Sequence, residues 1–225
     1  MKIIQRKYPF FPILLFGILF FTQCEKEDFE GLPVDGDGNV YDTVVIGTQV
    51  WMAENLKTTS YNDGCLIPQL DKSEEWANSN TAGYCWYDNN PVNKDVYGAL
   101  YNVKAARVET LCPKGWHLPT SDEWTTLFNY LGGKDEATHK LKETGSTHWL
   151  NPNEKASNIT GFSARAAGVR AYDGRFLYIK NFAYWWTSSI INDNSNYRIY
   201  MTTTFTQIDK SYFNNGFSVR CIKDD

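Results

Sequence analysis

Cys112-Pro-Lys-Gly-Trp-His-Leu-Pro-Thr-Ser-Asp-Glu-Trp124 brings a cysteine, a turn and the opening of a helix into one short stretch. Thr120 is a good N-cap, and Glu123, three residues later, completes a capping box. The two side chains then satisfy amides that the first helical turn leaves without partners. Pro119 and Trp124 stand at the positions that staple the incoming chain to that turn. Trp124, Leu127, Phe128 and Leu131 recur at i, i+3, i+4 and i+7, an apolar helical stripe. Gly132-Gly133 stops the helix where left-handed backbone is wanted. Ahead of the cap, Gly115-Trp116 predicts a tight turn carrying a large ring, and Cys112 offers a covalent tie.

Outward from this helix the pattern changes along the chain. On its amino side, Tyr97, Leu100, Tyr101, Val103 and Ala105-Ala106 predict another helix over residues 96–108. A shorter one is expected at 135–143, stopped at Gly145. Beyond Gly161, residues 162–165, 176–179 and 184–187 are short β-rich runs between Gly, Asn and Asp. Tyr197, Ile199 and Met201 alternate with Arg198, Tyr200 and Thr202, and Phe217, Val219 and Cys221 alternate likewise in a last strand. Near the start, residues 40–46 and 49–52 predict a hairpin across Gly47-Thr48. Helices first and antiparallel strands later argue an α+β fold.

Asp35-Gly-Asp-Gly-Asn39 invites a calcium reading, but the Gly and Glu that an EF-hand loop needs are replaced by Val40 and Ile46. A turn is the better account. Residues 53–95 lack a clear period, and so long an irregular stretch needs a tie. Cys65 and Cys85 are spaced to supply one, and closing a loop of that size stabilises by ~3 kcal/mol.

The 225 residues suit one domain with a short appendage. With 42% apolar and 21% charged residues the chain is globular, and 8 Trp, 14 Tyr and 13 Phe predict a core built from rings. Residues 1–23 read as a lipoprotein signal peptide. Lys2, Arg6 and Lys7 form its basic start, residues 9–21 its apolar run, and Phe21-Thr-Gln-Cys24 resembles a lipoprotein cleavage box. The apolar run is short for a membrane span, which needs ~20 residues. Removing this segment takes three basic residues from 22 and no acid from 26, so the net charge moves from −4 to about −7. No basic patch remains to recognise nucleic acid. Residues 24–38 are an acidic tether, and Glu25-Lys-Glu-Asp28 looks like the short signal that sends lipoproteins to the outer cell face. Of five cysteines, Cys24 is expected to carry lipid. The other four allow three connectivities in an oxidising compartment.

Together these residues resemble the Fibrobacter succinogenes major paralogous domain, a family of bacterial extracytoplasmic domains. The pieces are Asp37-Gly-Asn-Val-Tyr41, Ile46-Gly-Thr-Gln-Val-Trp-Met-Ala-Glu-Asn-Leu56, Tyr97-Gly-Ala-Leu-Tyr-Asn102 and Cys112-Pro-Lys-Gly-Trp-His-Leu-Pro-Thr120. They continue with Gly161-Phe-Ser-Ala164, Tyr184-Trp-Trp-Thr-Ser-Ser189 and Gly216-Phe-Ser-Val-Arg-Cys221. The resemblance assigns residues 39–225 to the domain. It implies a C-type-lectin-like fold, shared with formylglycine-generating enzymes: a twisted antiparallel sheet, flanking helices and a loop-rich ligand face.

In such a fold the ligand face is built from loops between later strands. Here that places Tyr172, Asp173, Arg175 and Tyr178 on one loop and Asn192, Asp193, Asn194 and Asn196 on another. Rings and amides of this kind suit sugars or peptides. Catalysis is not indicated, because His117, His139 and His148 fall in no recognised metal-binding motif, and no catalytic constellation or cofactor motif is recognised. The cysteines are better used as bridges, with Cys65–Cys85 and Cys112–Cys221 the expected pairs. The function expected is therefore an outer-membrane lipoprotein, held by its lipid and exposed at the cell surface, that binds glycan or protein or has a structural role. The alternative is an enzyme of unknown chemistry on the same scaffold, acting on polysaccharide or protein.

Overall fold

The structure is a computed structural model and describes residues 31–192, 195–212 and 214–225. The expected signal peptide, Cys24 and most of the expected tether lie outside the described residues, as do Asp193 and Asn194. Among the described residues no helix is long and apolar enough to cross a membrane.

The chain enters through the Asp35–Asn39 turn. The Asp35 carboxylate accepts from the amides of Asp37 and Asn39 at 3.0 and 2.9 Å, which occupies the group that a calcium loop would need. Strands β1 (Thr43–Ile46) and β2 (Gln49–Met52) then form the expected hairpin, with Ile46 opposite Gln49. Gly47 turns it at φ 65°, and a Cβ there would stand 2.9 Å from the Tyr130 ring.

The next stretch departs from expectation. It contains α1 (Ser73–Asn78) and β3 (Tyr84–Cys85), and no disulfide ties it, since Cys65 is an exposed free thiol and Cys85 a buried one. Backbone hydrogen bonds do that work instead. Leu56 donates to Val219 O at 2.8 Å, Asn62 to Thr110 O at 2.9 Å and Ala99 to Leu56 O at 3.0 Å. The single helix expected over 96–108 is three elements: α2 (Asn93–Tyr97), β4 (Leu100–Asn102) and α3 (Val103–Ala106). Gly98 breaks it at φ 73°, pressed so closely on Asn55 and Leu56 that a Cβ would fall within 2.8 Å of both. Residues 100–102 are then claimed by strand pairing, which outweighs a weak helical preference.

After β5 (Trp116–His117), helix α4 (Ser121–Tyr130) has the expected capping box, with Thr120 Oγ1 accepting from Glu123 N at 3.1 Å and Glu123 Oε2 from Thr120 N at 2.7 Å. Its Trp124, Leu127 and Phe128 are buried, and Leu131 follows them into the core. Helix α5 (Lys134–Leu141) comes next. Residues 162–165 make one bridge, Ala164 to Lys142, and no strand. The later strands are β6 (Val169–Arg170), β7 (Phe176–Leu177), β8 (Ala183–Asn192), β9 (Ser195–Met201), β10 (Thr206–Tyr212), β11 (Gly216–Phe217) and β12 (Ile222–Lys223).

These strands form three antiparallel sheets, ordered β1-β2-β12-β5, β10-β9-β8 and β3-β4-β11-β6-β7, so the fold is α+β. The terminal run joins all three. β11 pairs with β4 and β6, Ser218 bridges to Trp185 of β8, and β12 lies between β2 and β5. The disulfide Cys112–Cys221 fastens this run to the entry of α4. Trp51, Trp124, Phe162 and Trp185 pack together where the first two sheets meet α4, with the Trp51 and Trp124 ring centroids 4.8 Å apart.

Candidate functional site: a polar cleft over Asn55

Asn55 follows β2 and is 5% exposed, yet every polar atom of its side chain is used. Its Oδ1 accepts from Trp185 Nε1 at 2.9 Å and from Arg220 Nε and Nη2 at 3.0 and 2.8 Å. Its Nδ2 donates to Tyr97 O at 2.9 Å and Ser218 Oγ at 3.2 Å. Arg220 is 1% exposed, lies over the Phe162 ring at 4.3 Å, and donates through Nη1 to Met52 O and Phe162 O. Burial lowers its affinity for its proton, an effect that Glu54 opposes and Arg165 reinforces.

Above this network opens a cleft of about 260 Å³. Arg220 and Arg165 supply cationic wall, Asp42 and Glu54 anionic wall, and Val96 and Ala53 apolar wall, with Asn55 and Ser163 adding hydrogen-bonding groups. Arg165 is aimed by Glu143 Oε1, 2.8 Å from its Nε, and by Val96 O, 3.0 Å from its Nη1. Glu143 also holds His148 Nδ1 at 2.5 Å. Glu54 pairs with Lys57 at 3.4 Å. Ser163 has a left-handed backbone, φ 54°, held by Asn158, whose Oδ1 accepts from Ser163 N at 2.8 Å. A non-glycine residue kept in that region is strained, and such strain gathers at functional sites.

Comparison with known protein families matches residues 44–223 to the Fibrobacter succinogenes major domain. The chain belongs to that family. No curated protein and no solved structure matches it. Five of the seven stretches that carry the sequence resemblance meet in the hydrogen-bond network of Asn55 and Arg220. Ile46–Leu56 carries Asn55 itself, and Tyr97 O, Phe162 O, Trp185 Nε1 and the Ser218/Arg220 pair come from four others. The floor of the cleft is therefore assembled from stretches far apart in the chain, whereas Asp42, Val96 and Arg165 on its walls lie outside them.

The loop residues expected to bind ligand lie elsewhere. Tyr172 is 64% exposed and Asp173 pairs with Arg175 at 2.7 Å, both at the β6–β7 turn. Tyr178, just past β7, is half exposed and rests on Phe182, centroids 5.1 Å apart. Asn192 is exposed and accepts from Ser195 Oγ at 3.0 Å. Asn196 is a correction: it is buried, donating to Thr187 O at 3.2 Å and accepting from Arg107 Nε at 3.1 Å, so it holds the β8–β9 hairpin and faces no solvent. None of these residues lines the cleft.

His117 lies between two carboxylates, with Nδ1 2.7 Å from Asp224 and Nε2 2.8 Å from Glu123. Both ring nitrogens are engaged, which suits a clamp on the chain terminus better than a general base. Among the described residues no group of three His, Cys, Asp or Glu side chains could hold a metal ion.

Residue-by-residue reading missed Asp42, Glu54, Asn55, Arg165 and Arg220 as a group. Alternation about Phe217, Val219 and Cys221 turns Ser218 and Arg220 towards solvent, yet both are buried. An arginine inside a β-rich apolar run was the available signal, since a buried charge requires unusual surroundings.

Proposed function

We propose that this chain is a surface-anchored extracytoplasmic lipoprotein that binds a glycan or protein ligand in the cleft over Asn55. The supporting observation is the meeting of five stretches far apart in the chain beneath a polar cleft whose walls carry both charges. Small-ligand sites combine concavity with a few convergent polar groups in this way. The fold we propose for it is C-type-lectin-like, in keeping with antiparallel sheets opened by the β1–β2 hairpin and flanked by α4 and α5. The lipid anchor at Cys24 rests on the basic start, the apolar run and the cysteine that ends it.

The test is a glycan and protein array probed with the full chain in mild detergent, alongside Arg165→Gln and Glu54→Gln. A ligand whose capture falls in both variants, at unchanged melting temperature, supports the reading. Capture that neither variant alters, or the absence of any captured ligand, counts against it. A Tyr172→Ala arm tests the β6–β7 turn in the same experiment.

A further inference from the structure

We infer that the cleft recognises a single carboxylate flanked by hydroxyl or ammonium groups, the chemistry of a uronic acid or of an α-amino acid. This rests on the cleft being the binding site.

Arg220 carries the first part of the argument. Among the described residues no carboxylate stands within 4.0 Å of its guanidinium. Its acceptors are Asn55 Oδ1 and two backbone carbonyls, all neutral. A guanidinium offers five N–H groups, and four hydrogen bonds are made, so one Nη2–H remains on a side chain that lines the cleft. Burying a charge with no carboxylate in contact is costly, Glu54 offsets only part of that cost from a distance, and an anion entering the cleft would offset more. Arg165 stands on the same cleft. Its Nε and one Nη1–H are committed to Glu143 and Val96, and its Nη2 makes no hydrogen bond to the protein among the described residues. Two guanidinium groups facing one cleft suit a carboxylate, whose two oxygens accept such donors in a plane.

Asp42 and Glu54 carry the second part. Both line the cleft, and Asp42 is exposed. They repel a second negative charge, which disfavours phosphate and other polyanions, and they accept from hydroxyl or ammonium groups. Size sets the third condition. At ~30 Å³ per water-sized group, 260 Å³ seats roughly one sugar ring or one amino acid of whatever chain carries it.

The experiment titrates the full chain in detergent with D-glucuronate, L-alanine, D-glucose and inorganic phosphate, read by calorimetry and by ligand-observed NMR. Glucuronate or alanine should bind, with glucose and phosphate weaker by about tenfold or more. The carboxylate that binds distinguishes sugar from amino acid. Arg165→Gln should weaken it by about tenfold at an unchanged melting temperature. Should that variant fold poorly, Asp42→Asn serves instead: phosphate should then bind severalfold tighter while the carboxylate is retained. Glucose or phosphate binding as well as the carboxylates, or a folded Arg165→Gln with unaltered affinity, would overturn the inference. So would unaltered phosphate affinity in Asp42→Asn. If neither carboxylate binds while an array ligand loses affinity in Arg165→Gln, the binding reading stands and the carboxylate falls. If no array ligand responds either, both fall.

Discussion

Arg170 and Arg220 are both 1% exposed, and neither has a carboxylate within 4.0 Å among the described residues, yet they are buried in different ways. Arg170 lies over the Phe176 ring at 4.0 Å and the Trp76 ring at 5.6 Å, donates to Asp71 O at 2.8 Å, and leaves its Nε without an acceptor. Arg220 has one ring, four hydrogen bonds and a face on the cleft. Stacked aromatic faces can substitute for a counter-ion by stabilising a cation through their quadrupoles. Arg170 is thus part of the packing, whereas Arg220 is held by polar groups and keeps one side towards a space that another molecule can enter.

The largest expected effect separates the two by the covalent tie next to Arg220. Replacing Cys112 and Cys221 by Ser opens a link spanning a sequence separation of 109. By loop-entropy reasoning this should cost up to ~4.7 kcal/mol. Chemical denaturation would measure it, and the terminal run bearing Arg220 should lose amide protection before β6, which bears Arg170. Equal protection of both would break the distinction.

Next in size is Arg170→Ala. It removes a side chain packed against Trp76 and Phe176 and takes one of two donors from Asp71 O, which keeps Asn89 Nδ2 at 2.8 Å, so a loss of about 2–4 kcal/mol, mostly from packing, is expected. Arg220→Met should cost less, about 2 kcal/mol. Carbonyls of Met52 and Phe162 lose a donor, but Asn55 Oδ1 keeps Trp185, and removing a desolvated charge gives some of the loss back. A reversed order in urea melts would show that Arg220 is the structural member of the pair.

The smallest effect concerns His117 of β5, a partly buried imidazole held to the terminal run through Asp224. Burial lowers the affinity of His117 for its proton, but hydrogen bonds to Asp224 and Glu123 outweigh this and raise its pKa above 6.5. A folded pKa above the unfolded one means that the stabilisation is fully present below about pH 6.5 and is lost as pH rises through the higher folded value. With the side chain 39% exposed, screening keeps the contribution under about 1 kcal/mol. Wild type should lose its small stability advantage over His117→Gln across that window; a constant difference at every pH would mean that the clamp acts by packing alone.

How much was legible beforehand follows the range of the forces involved. The capping box of Thr120 and Glu123, the stripe from Trp124 to Leu131 and the β1–β2 hairpin all act over a few residues, so spacing alone revealed them. The α+β class and the family pieces followed from their order along the chain. What misled was a local signal overruled at a distance. Residues 96–108 have reasonable helical character, but Gly98 against Asn55 and the pairing of β4 with β3 and β11 divide them. Spacing made Cys65–Cys85 plausible, whereas one thiol is exposed and the other buried.

The sequence by itself determined the family, the class of fold, the capped helix that starts after Thr120 and the usefulness of Cys112 as a tie. The expected pairing of Cys112 with Cys221 is present, but only the tertiary structure decided that Cys65 and Cys85 stay apart, that the terminal run joins three sheets, and that Arg220 turns inward. The reason is separation: the bonds between Asn55 and Arg220 connect residues 165 apart in the chain. No periodicity read in a short window contains such a contact. It arises once the sheets have brought β2, β8 and the terminal run together, and the cleft exists only where they meet.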